Sequence, residues 1–157
     1  MNETHPNIRK VSDALAAAGV RGTVRILPDP APTAAAAAAQ LGCEVGAIAN
    51  SLIFDGDGAP VLILTSGAHR VDTAKLAAEL GIGKLKRATP EFVREHTGQT
   101  IGGVAPVGHP EPVRTLVDTA LQDYDEVWAA GGIAHAVFPT TYEELLSMTN
   151  GTPVTVN

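Results

Sequence analysis

Two apolar runs joined by a short Asp- and Gly-rich turn constrain the fold of this chain more than any other feature. The first run covers residues 45–54, the turn residues 55–58, and the second run residues 60–64. Two β-prone runs around such a turn predict a β-hairpin. The polar pair Asn50-Ser51 interrupts the first run. Inside a buried strand such a pair needs partners or a role. Taken alone it favours instead the end of a helix or the entry to the strand, where Asn and Ser are common.

Length and composition predict one globular domain spanning residues 1–157. The chain is 45% hydrophobic and 18% charged, which excludes a disordered protein. Aromatic residues make up only 4% of the sequence, so Ala, Val, Leu and Ile must fill the core.

Apolar runs, cysteine count and histidine spacing predict where the protein resides and whether it uses a metal or cofactor. No apolar run approaches the roughly 20 residues of a membrane span, and the polar residues 1–6 do not form a signal peptide. Cys43 is the only cysteine, which rules out an internal disulfide and fits a reducing cytoplasm. The five histidines lack metal-ligand spacing. We therefore expect a cytoplasmic protein with no membrane association, no metal and no cofactor.

Charge is distributed unevenly along the chain. The net charge of −6 argues against nonspecific nucleic-acid binding, DNA included. Residues 70–94 hold six Lys and Arg against three acids, a net charge of +3, whereas residues 115–157 hold six acids and no Lys or Arg. The basic segment forms either a patch on an acidic body or a solvated helical face.

Periodicity, capping residues and terminating glycines predict both helices and strands. Helices are expected over residues 6–19, 33–41, 75–80, 90–96 and 142–149. Beyond the hairpin, strands are expected over residues 24–27, 113–117, 127–130 and 136–138. The absence of a regular β-α-β rhythm favours a compact α/β or α+β domain.

A glycine-rich loop is the main candidate for chemistry. Gly102-Gly103-Val104-Ala105-Pro106 forms a G-x-x-x-P loop, whose glycines let backbone N–H groups approach a carbonyl or an oxyanion. By itself such a loop is most often only a turn. It lacks the Gly-Lys-Ser/Thr of a P-loop and the G-x-G-x-x-G of a dinucleotide site.

Two further side chains are candidates for a role in a site. His135 follows a Gly-Gly turn and either contacts a ligand or is structural. Cys43 is better explained as a small buried hydrophobic residue. No Ser-His-Asp motif stands out.

Several short motifs follow one another in a fixed order. They are the helix over residues 33–41, the strand over residues 50–54, Arg70-Val71-Asp72, Thr97-Gly98, the loop over residues 102–108, and Gly131-Gly132. This ordered set, covering roughly residues 6–150, resembles the YbaK/ProX family. Members are freestanding relatives of the editing domain inserted in bacterial prolyl-tRNA synthetases.

The resemblance implies a fold, a reaction and a partner. The fold is α/β (α+β), with a mixed, partly barrel-like sheet surrounded by helices. The reaction is hydrolysis of the ester in a mischarged aminoacyl-tRNA, an activated bond next to a free ribose 2′-hydroxyl, so that positioning can suffice for catalysis. The partner is the acceptor end of the tRNA, with a transient contact to an aminoacyl-tRNA synthetase; the oligomeric state stays open.

The resemblance also implies residue roles. Gly102 holds the carbonyl through its N–H group, and His135 recognises the amino acid. Asn50 stands where the family usually has a lysine in a Lys-Ser/Thr-Leu sequence, so Asn50 keeps hydrogen-bonding capacity but lacks the charge. The other expected substrate-binding residues adjoin these positions: Ser51, Gly103, Val104, Ala105 and Pro106. The expected tRNA contacts are basic residues of the segment 70–94: Arg70, Lys84, Lys86 and Arg87.

Three functions remain open from the sequence. The first is a deacylase for a small mischarged amino acid, because aromatics are few and Val104 and Ala105 suggest a small pocket. The second is a non-catalytic tRNA- or aminoacyl-binding module of the same fold, which the Asn50 substitution motivates. The third is a small-molecule hydrolase, which would need a nucleophile, base or metal site that the sequence does not display.

Overall fold

The computed structural model describes residues 5–20, 22–31 and 33–157. Residues 1–4, part of the polar N-terminus that argued against a signal peptide, lie outside the described residues. The described helices are α1 (Pro6–Ala17), α2 (Ala34–Leu41), α3 (Thr73–Leu80), α4 (Pro90–Thr97) and α5 (Tyr142–Thr149). The described strands are β1 (Arg25–Ile26), β2 (Ile48–Gly56), β3 (Ala59–Ser66), β4 (Leu85–Arg87), β5 (Arg114–Asp118), β6 (Val127–Ala130), β7 (Ala136–Thr140) and β8 (Thr152–Val154). No helix among these residues is long and apolar enough to cross a membrane.

The predicted hairpin is confirmed as the antiparallel pair β2 and β3. Asp57 and Gly58 turn the chain with φ of 54° and 94°, the two positive values that a tight hairpin turn requires. Asp55 Oδ1 accepts the Gly58 N–H at 2.7 Å and closes the turn. The boundary interpretation of Asn50 and Ser51 is wrong, because both lie inside β2, opposite residues of β3.

The sheet around this hairpin is mixed, as predicted. Its strand order is β1-β7-β6-β2-β3-β5-β8, with β4 pairing to β2 beside this path. β2 pairs in parallel with β6, and β3 in parallel with β5. The β6–β7 and β2–β4 pairs are antiparallel. The hairpin is therefore the centre of the sheet, with parallel neighbours on both sides.

Side chains that alternate along β2 and β3 enter separate apolar clusters. Ile53 and Leu62 belong to one cluster, together with Val104 of the glycine-rich loop. Phe54 and Ile63 belong to another, under α3. Full burial of each such side chain contributes about 1.5–3 kcal/mol, so the two clusters fix the register of β2 and leave little freedom to Asn50 and Ser51 between them.

Several element boundaries differ from the sequence-based expectations. The first helix ends at Ala17 instead of residue 19, because Gly19 takes a left-handed φ of 73°. The strand expected over residues 24–27 is only β1, and the strand expected over residues 113–117 is shifted by one residue to β5. The sequence analysis missed β4 and β8, since each has three residues and too few apolar positions to show a period.

Candidate active site

β2 has a gap in its pairing at the centre of the sheet. One edge of β2 pairs continuously with β3. The opposite edge pairs with β6 at Ile48 and Ala49, and with β4 only from Phe54 onward. Residues 50–53 therefore have no partner strand on that edge. The Ile53 carbonyl accepts the Ala88 N–H at 3.4 Å, so the backbone groups left open to a loop or a ligand are those of residues 50–52.

Two small cavities meet at this gap, and Ser51 and Gly102 line both of them. The first, here called the aliphatic cavity, has a volume of about 60 Å³ and is walled in part by Ile53, Val93 and Val104. The second, here called the alanine cavity, has a volume of about 40 Å³. Its lining is drawn largely from small residues of several elements and includes Ala31, Ala34, Ala37, Ala49, Asn50, Trp128, Ala129, Ala130, Ala134 and Ala136.

Ser51 carries a buried hydroxyl between the two cavities. Its Oγ has no hydrogen-bond partner among the described residues. A buried polar group left without a partner costs about 1–3 kcal/mol. A molecule that enters either cavity can supply the missing partner, and the role of Ser51 in binding substrate stays a prediction.

The G-x-x-x-P loop closes over the gap and packs against a second loop. Gly102 takes a left-handed φ of 93°. A Cβ added to Gly103 would lie 2.6 Å from the Ile133 carbonyl carbon and 2.9 Å from the Ala134 nitrogen. Only glycine permits this approach, so the two loops are held in direct backbone contact next to the alanine cavity.

A buried glutamine and a half-buried histidine hold the other end of the glycine-rich loop. Gln99 Oε1 accepts the Ala105 N–H at 2.7 Å, and Gln99 Nε2 donates to the Val107 carbonyl at 3.4 Å. His109 Nε2 lies 2.8 Å from the Ala105 carbonyl oxygen. Burial lowers the pKa of His109, an effect that the hydrogen bond to Ala105 partly opposes. A neutral imidazole can donate its Nε2–H to this carbonyl, so the backbone N–H and the backbone carbonyl of Ala105 both have a side-chain partner.

His135 lies beside the alanine cavity. Its neighbours Ala134 and Ala136 line the cavity, but His135 itself does not. The His135 carbonyl accepts the Leu27 N–H at 2.6 Å. Its ring Nδ1 is buried and has no partner among the described residues. This nitrogen can therefore still form a hydrogen bond.

Of Val104, Ala105 and Pro106, three loop residues predicted to bind substrate, only Val104 lines one of the two cavities. Val104 lines the aliphatic cavity. Ala105 is 0% exposed and packs in the core, and Pro106 is also buried. Neither of them lines the two cavities, and their contact with substrate stays a prediction.

The four predicted tRNA contacts are all exposed, but they do not form one cluster around the site. Arg70 and Arg87 border a groove that also includes Asn50, and Arg87 reaches the aliphatic cavity as well. Lys84 lines a separate depression against α3. Lys86 lies next to Arg87 on β4 but lines none of these spaces.

Sequence analysis missed several residues that shape the site. Trp128 is the only tryptophan, and Arg25 stacks over its ring at 5.1 Å. Gln99 belongs to no recognisable motif. Within the described part of the chain, no group of three or more His, Cys, Asp or Glu side chains could hold a metal ion.

The fold and the site define a mixed α/β domain whose cleft offers backbone groups, one unpaired hydroxyl and a cationic rim. The chain belongs to the aminoacyl-tRNA editing domain family, whose sequence profile matches residues 28–148. The resemblance to the YbaK/ProX family is thereby confirmed, and aminoacyl-tRNA editing is the function of that family.

Individual relatives agree with this assignment. A crystal structure described as a candidate trans-editing enzyme for prolyl-tRNA synthetase is 44% identical, covers 98% of each chain and superposes with a TM-score of 0.91. The uncharacterized protein YwhH of Bacillus subtilis (strain 168) is 34% identical over 69% of each chain. The proline--tRNA ligase of Nitratidesulfovibrio vulgaris (strain DP4) is 36% identical over 67% of this chain, which spans only 18% of the ligase.

Proposed function

We propose that this protein is a freestanding deacylase that hydrolyses the ester bond of a mischarged aminoacyl-tRNA carrying a small amino acid. The observation that carries the proposal is the buried Ser51 hydroxyl, which has no partner among the described residues and which lines two small cavities together with Gly102. Family membership supplies the reaction class, and the likeness to a candidate trans-editing enzyme supports a freestanding protein.

The alanine cavity is the proposed pocket for the amino-acid side chain. Its volume of about 40 Å³ and its alanine-rich wall leave room for only a small group. Asn50, Ser51 and Gly102 all line it, so an acyl group placed there has its ester next to the three polar elements of the site. His135 lies between Ala134 and Ala136, which line the same cavity, and its buried Nδ1 has no partner among the described residues, so it is the proposed contact to the substrate amine or carbonyl.

The chemistry asked of these residues is modest. The Gly102 N–H group and the Ser51 hydroxyl orient the ester carbonyl and stabilise the oxyanion that forms on it. The free hydroxyl of the terminal ribose lies next to the ester in the substrate itself and can position the attacking water. Asn50 fixes the ribose side of the ester through its amide, and the glycine-rich loop keeps bulk water out.

A deacylation screen tests the proposal. The protein is incubated with alanyl-, seryl- and cysteinyl-tRNA charged on noncognate tRNA, and ester loss is compared with a buffer control. Hydrolysis of at least one small aminoacyl-tRNA is expected, with larger aminoacyl groups spared. No hydrolysis above the control for any of the three would rule out the function for these substrates.

Filling the alanine cavity provides a matched test of the pocket. Ala37 lines the cavity from α2, whereas Ala39 is exposed on the same helix. Both Ala37→Val and Ala39→Val carry the same helix-propensity cost. Ala37→Val should lower kcat/KM at least tenfold, and Ala39→Val should leave it within twofold. Equal effects of the two variants would place the side chain elsewhere.

The second candidate is a binding module of the same fold, and Asn50 is the observation that favours it. The editing family usually has a lysine there, and Asn50 cannot supply its charge. If the wild-type protein is inactive while Asn50→Lys gains deacylase activity, binding without catalysis is the native function. If the wild type is active and Asn50→Ala reduces that activity, the binding-only function is wrong.

A further inference from the structure

A buried glutamine closes the neck of the loop that presents Gly102. Gln99 lies three residues before Gly102, and Ala105 lies three residues after it. Gln99 is 1% exposed and Ala105 is 0% exposed. Gln99 Oε1 accepts the Ala105 N–H at 2.7 Å, a bond that joins the two ends of the segment around Gly102. A buried N–H outside helices and strands needs a partner, and here the partner is a side chain that also closes the loop.

The neck of the loop is anchored on the last turn of α4. Thr97 is 1% exposed, and its Oγ1 donates to the Val93 carbonyl at 2.7 Å. The same oxygen accepts the Gln99 N–H at 3.0 Å. Val93 forms part of the wall of the aliphatic cavity. One hydroxyl therefore fixes the backbone of Gln99 to the helix that borders the site.

The exit of the loop is held as well. His109 Nε2 lies 2.8 Å from the Ala105 carbonyl oxygen. A Cβ added to Gly108 would lie 3.3 Å from the backbone carbonyl carbon of Lys10 in α1. Because the chain before His109 packs directly on α1, the imidazole reaches Ala105 from a fixed position. Ala105 is thus held from two sides, by a side chain before the loop and by one after it.

Between these two anchors, the Gly102 N–H is free to donate. The Gly103 N–H donates to the Thr100 carbonyl at 3.0 Å and closes a tight turn around Gly102, whose φ is 93°. The Gly102 N–H itself has no acceptor among the described residues. An oxyanion donor must lie about 2.7–3.1 Å from the oxyanion. A displacement of the turn by about 1 Å can therefore cost about 100-fold in rate.

We propose that Thr97, Gln99 and His109 form a positioning network that sets where the Gly102 N–H points during the reaction. This inference rests on the proposed function and deepens it, because it assigns control of the oxyanion donor to residues that line neither cavity. The hydrogen bonds of the network run without a break from α4 to His109. None of the three side chains touches the substrate in this role, and all of them act through the loop.

Thr97→Val and Thr115→Val form a matched pair that separates positioning from stability. Both hydroxyls belong to buried residues and donate to a carbonyl, that of Thr115 at 2.9 Å. Thr115 lies in β5, outside the network. Both variants should lower the urea midpoint, because each leaves a carbonyl without this partner. Thr97→Val should lower the kcat of deacylation about three- to tenfold, whereas Thr115→Val should keep it within about twofold.

Gln99→Met tests the centre of the network, because it removes both polar atoms of the amide at nearly constant volume. We expect kcat to fall about ten- to 100-fold while KM changes by less than about threefold, since the oxyanion donor acts mainly in the transition state. His109→Gln keeps a donor for the Ala105 carbonyl and should retain kcat within about threefold. His109→Leu has no such donor and should lose at least about fivefold. All rates are measured well below the unfolding transition of each variant.

Hydrogen exchange of the Gly103 amide measures the turn directly and needs no substrate. Its rate reports local opening of the turn, and NMR resolves it from the rates of other amides. Gln99→Met and Thr97→Val should speed Gly103 exchange at least about tenfold relative to Thr115→Val. Equal exchange rates, or equal kcat values, in the two Thr→Val variants would overturn the proposal. A Gln99→Met protein whose KM rises while its kcat is unchanged would also overturn it.

The outcomes keep this proposal apart from the proposed function. If the wild-type protein hydrolyses no aminoacyl-tRNA, the deacylase is refuted and Gly103 exchange decides on the network. Faster exchange in Gln99→Met then supports the network, and unchanged exchange refutes it. If the wild type is active and Gln99→Met keeps its kcat, the deacylase stands and the network has no part in the reaction.

Discussion

Removing the Ser51 hydroxyl should stabilise the protein while reducing its activity. The buried Oγ has no partner among the described residues, so Ser51→Ala deletes a group whose desolvation is not compensated. Such a group costs about 1–3 kcal/mol, and water in the adjoining cavities offsets part of that cost. We therefore expect a gain of about 1 kcal/mol, or a rise in Tm of about 2–4 °C for a domain of this size.

Ser66→Ala is the matched control in the same hairpin. Ser66 Oγ donates to the Gly46 carbonyl at 2.8 Å and accepts the Ala68 N–H at 3.3 Å. Its removal leaves the buried Gly46 carbonyl without this partner, so Ser66→Ala should lower stability by about 1–3 kcal/mol. The two Ser→Ala changes are chemically identical, and opposite signs are expected from their surroundings alone.

Thermal and urea unfolding of both variants measure the stability changes, and deacylation of the preferred aminoacyl-tRNA measures activity. Ser51→Ala should lower kcat/KM about ten- to 100-fold, which corresponds to the loss of one oxyanion-type donor of about 1.4–2.7 kcal/mol. A Ser51→Ala protein that is destabilised as much as Ser66→Ala would show that the hydroxyl has a structural partner. Unchanged activity would remove Ser51 from the reaction.

Three further changes test how the glycine-rich loop is held. Gln99→Leu leaves a buried loop amide unpaired and should cost about 1–3 kcal/mol in urea unfolding, whereas Gln122→Leu, at an exposed position, should cost less than about 0.5 kcal/mol. His109→Gln keeps a donor to the loop without titrating. Because the pKa of His109 is lower in the folded than in the unfolded chain, where it is about 6.5, the wild type should lose stability as pH falls through and below that value, and the variant should lack this part of the loss. Gly103→Ala forces a Cβ to within 2.6 Å of a neighbouring backbone and should abolish activity, whereas Gly83→Ala meets only the flexible Asp57 carboxylate at 3.2 Å and should retain it.

Local signals in the sequence are sufficient for the hairpin but not for what surrounds it. The turn at Asp57 and Gly58 needs a positive φ at two positions, and an Asp-Gly sequence favours a turn of this type. β4 has only Leu85 as a buried residue, and it is a strand because Asp55 and its neighbours in β2 offer an open edge. A strand of this kind depends on tertiary pairing, which no local pattern can reveal.

The site was predicted unevenly for the same reason. Asn50 and Gly102 line one cavity, which the family motifs indicated and which local chemistry alone did not. The sequence shows that Ser51 has a polar side chain. Whether its hydroxyl has a hydrogen-bond partner depends on packing and can be seen only in the structure.

The replacement of a lysine by Asn50 has a different meaning once the groove is considered. A lysine on β2 would place a single flexible charge at the junction of the groove and the alanine cavity. Here that junction carries an uncharged amide, while Arg70 and Arg87 reach the same groove from the segment after β3 and from β4. Guanidinium groups on two separate elements bind a phosphate with more geometric definition than one ammonium group does. In the proposed deacylase, these two guanidinium groups would meet the cationic requirement of the tRNA end without a charge on β2, and the neutral Asn50 would leave the ester beside it free of a competing counter-ion.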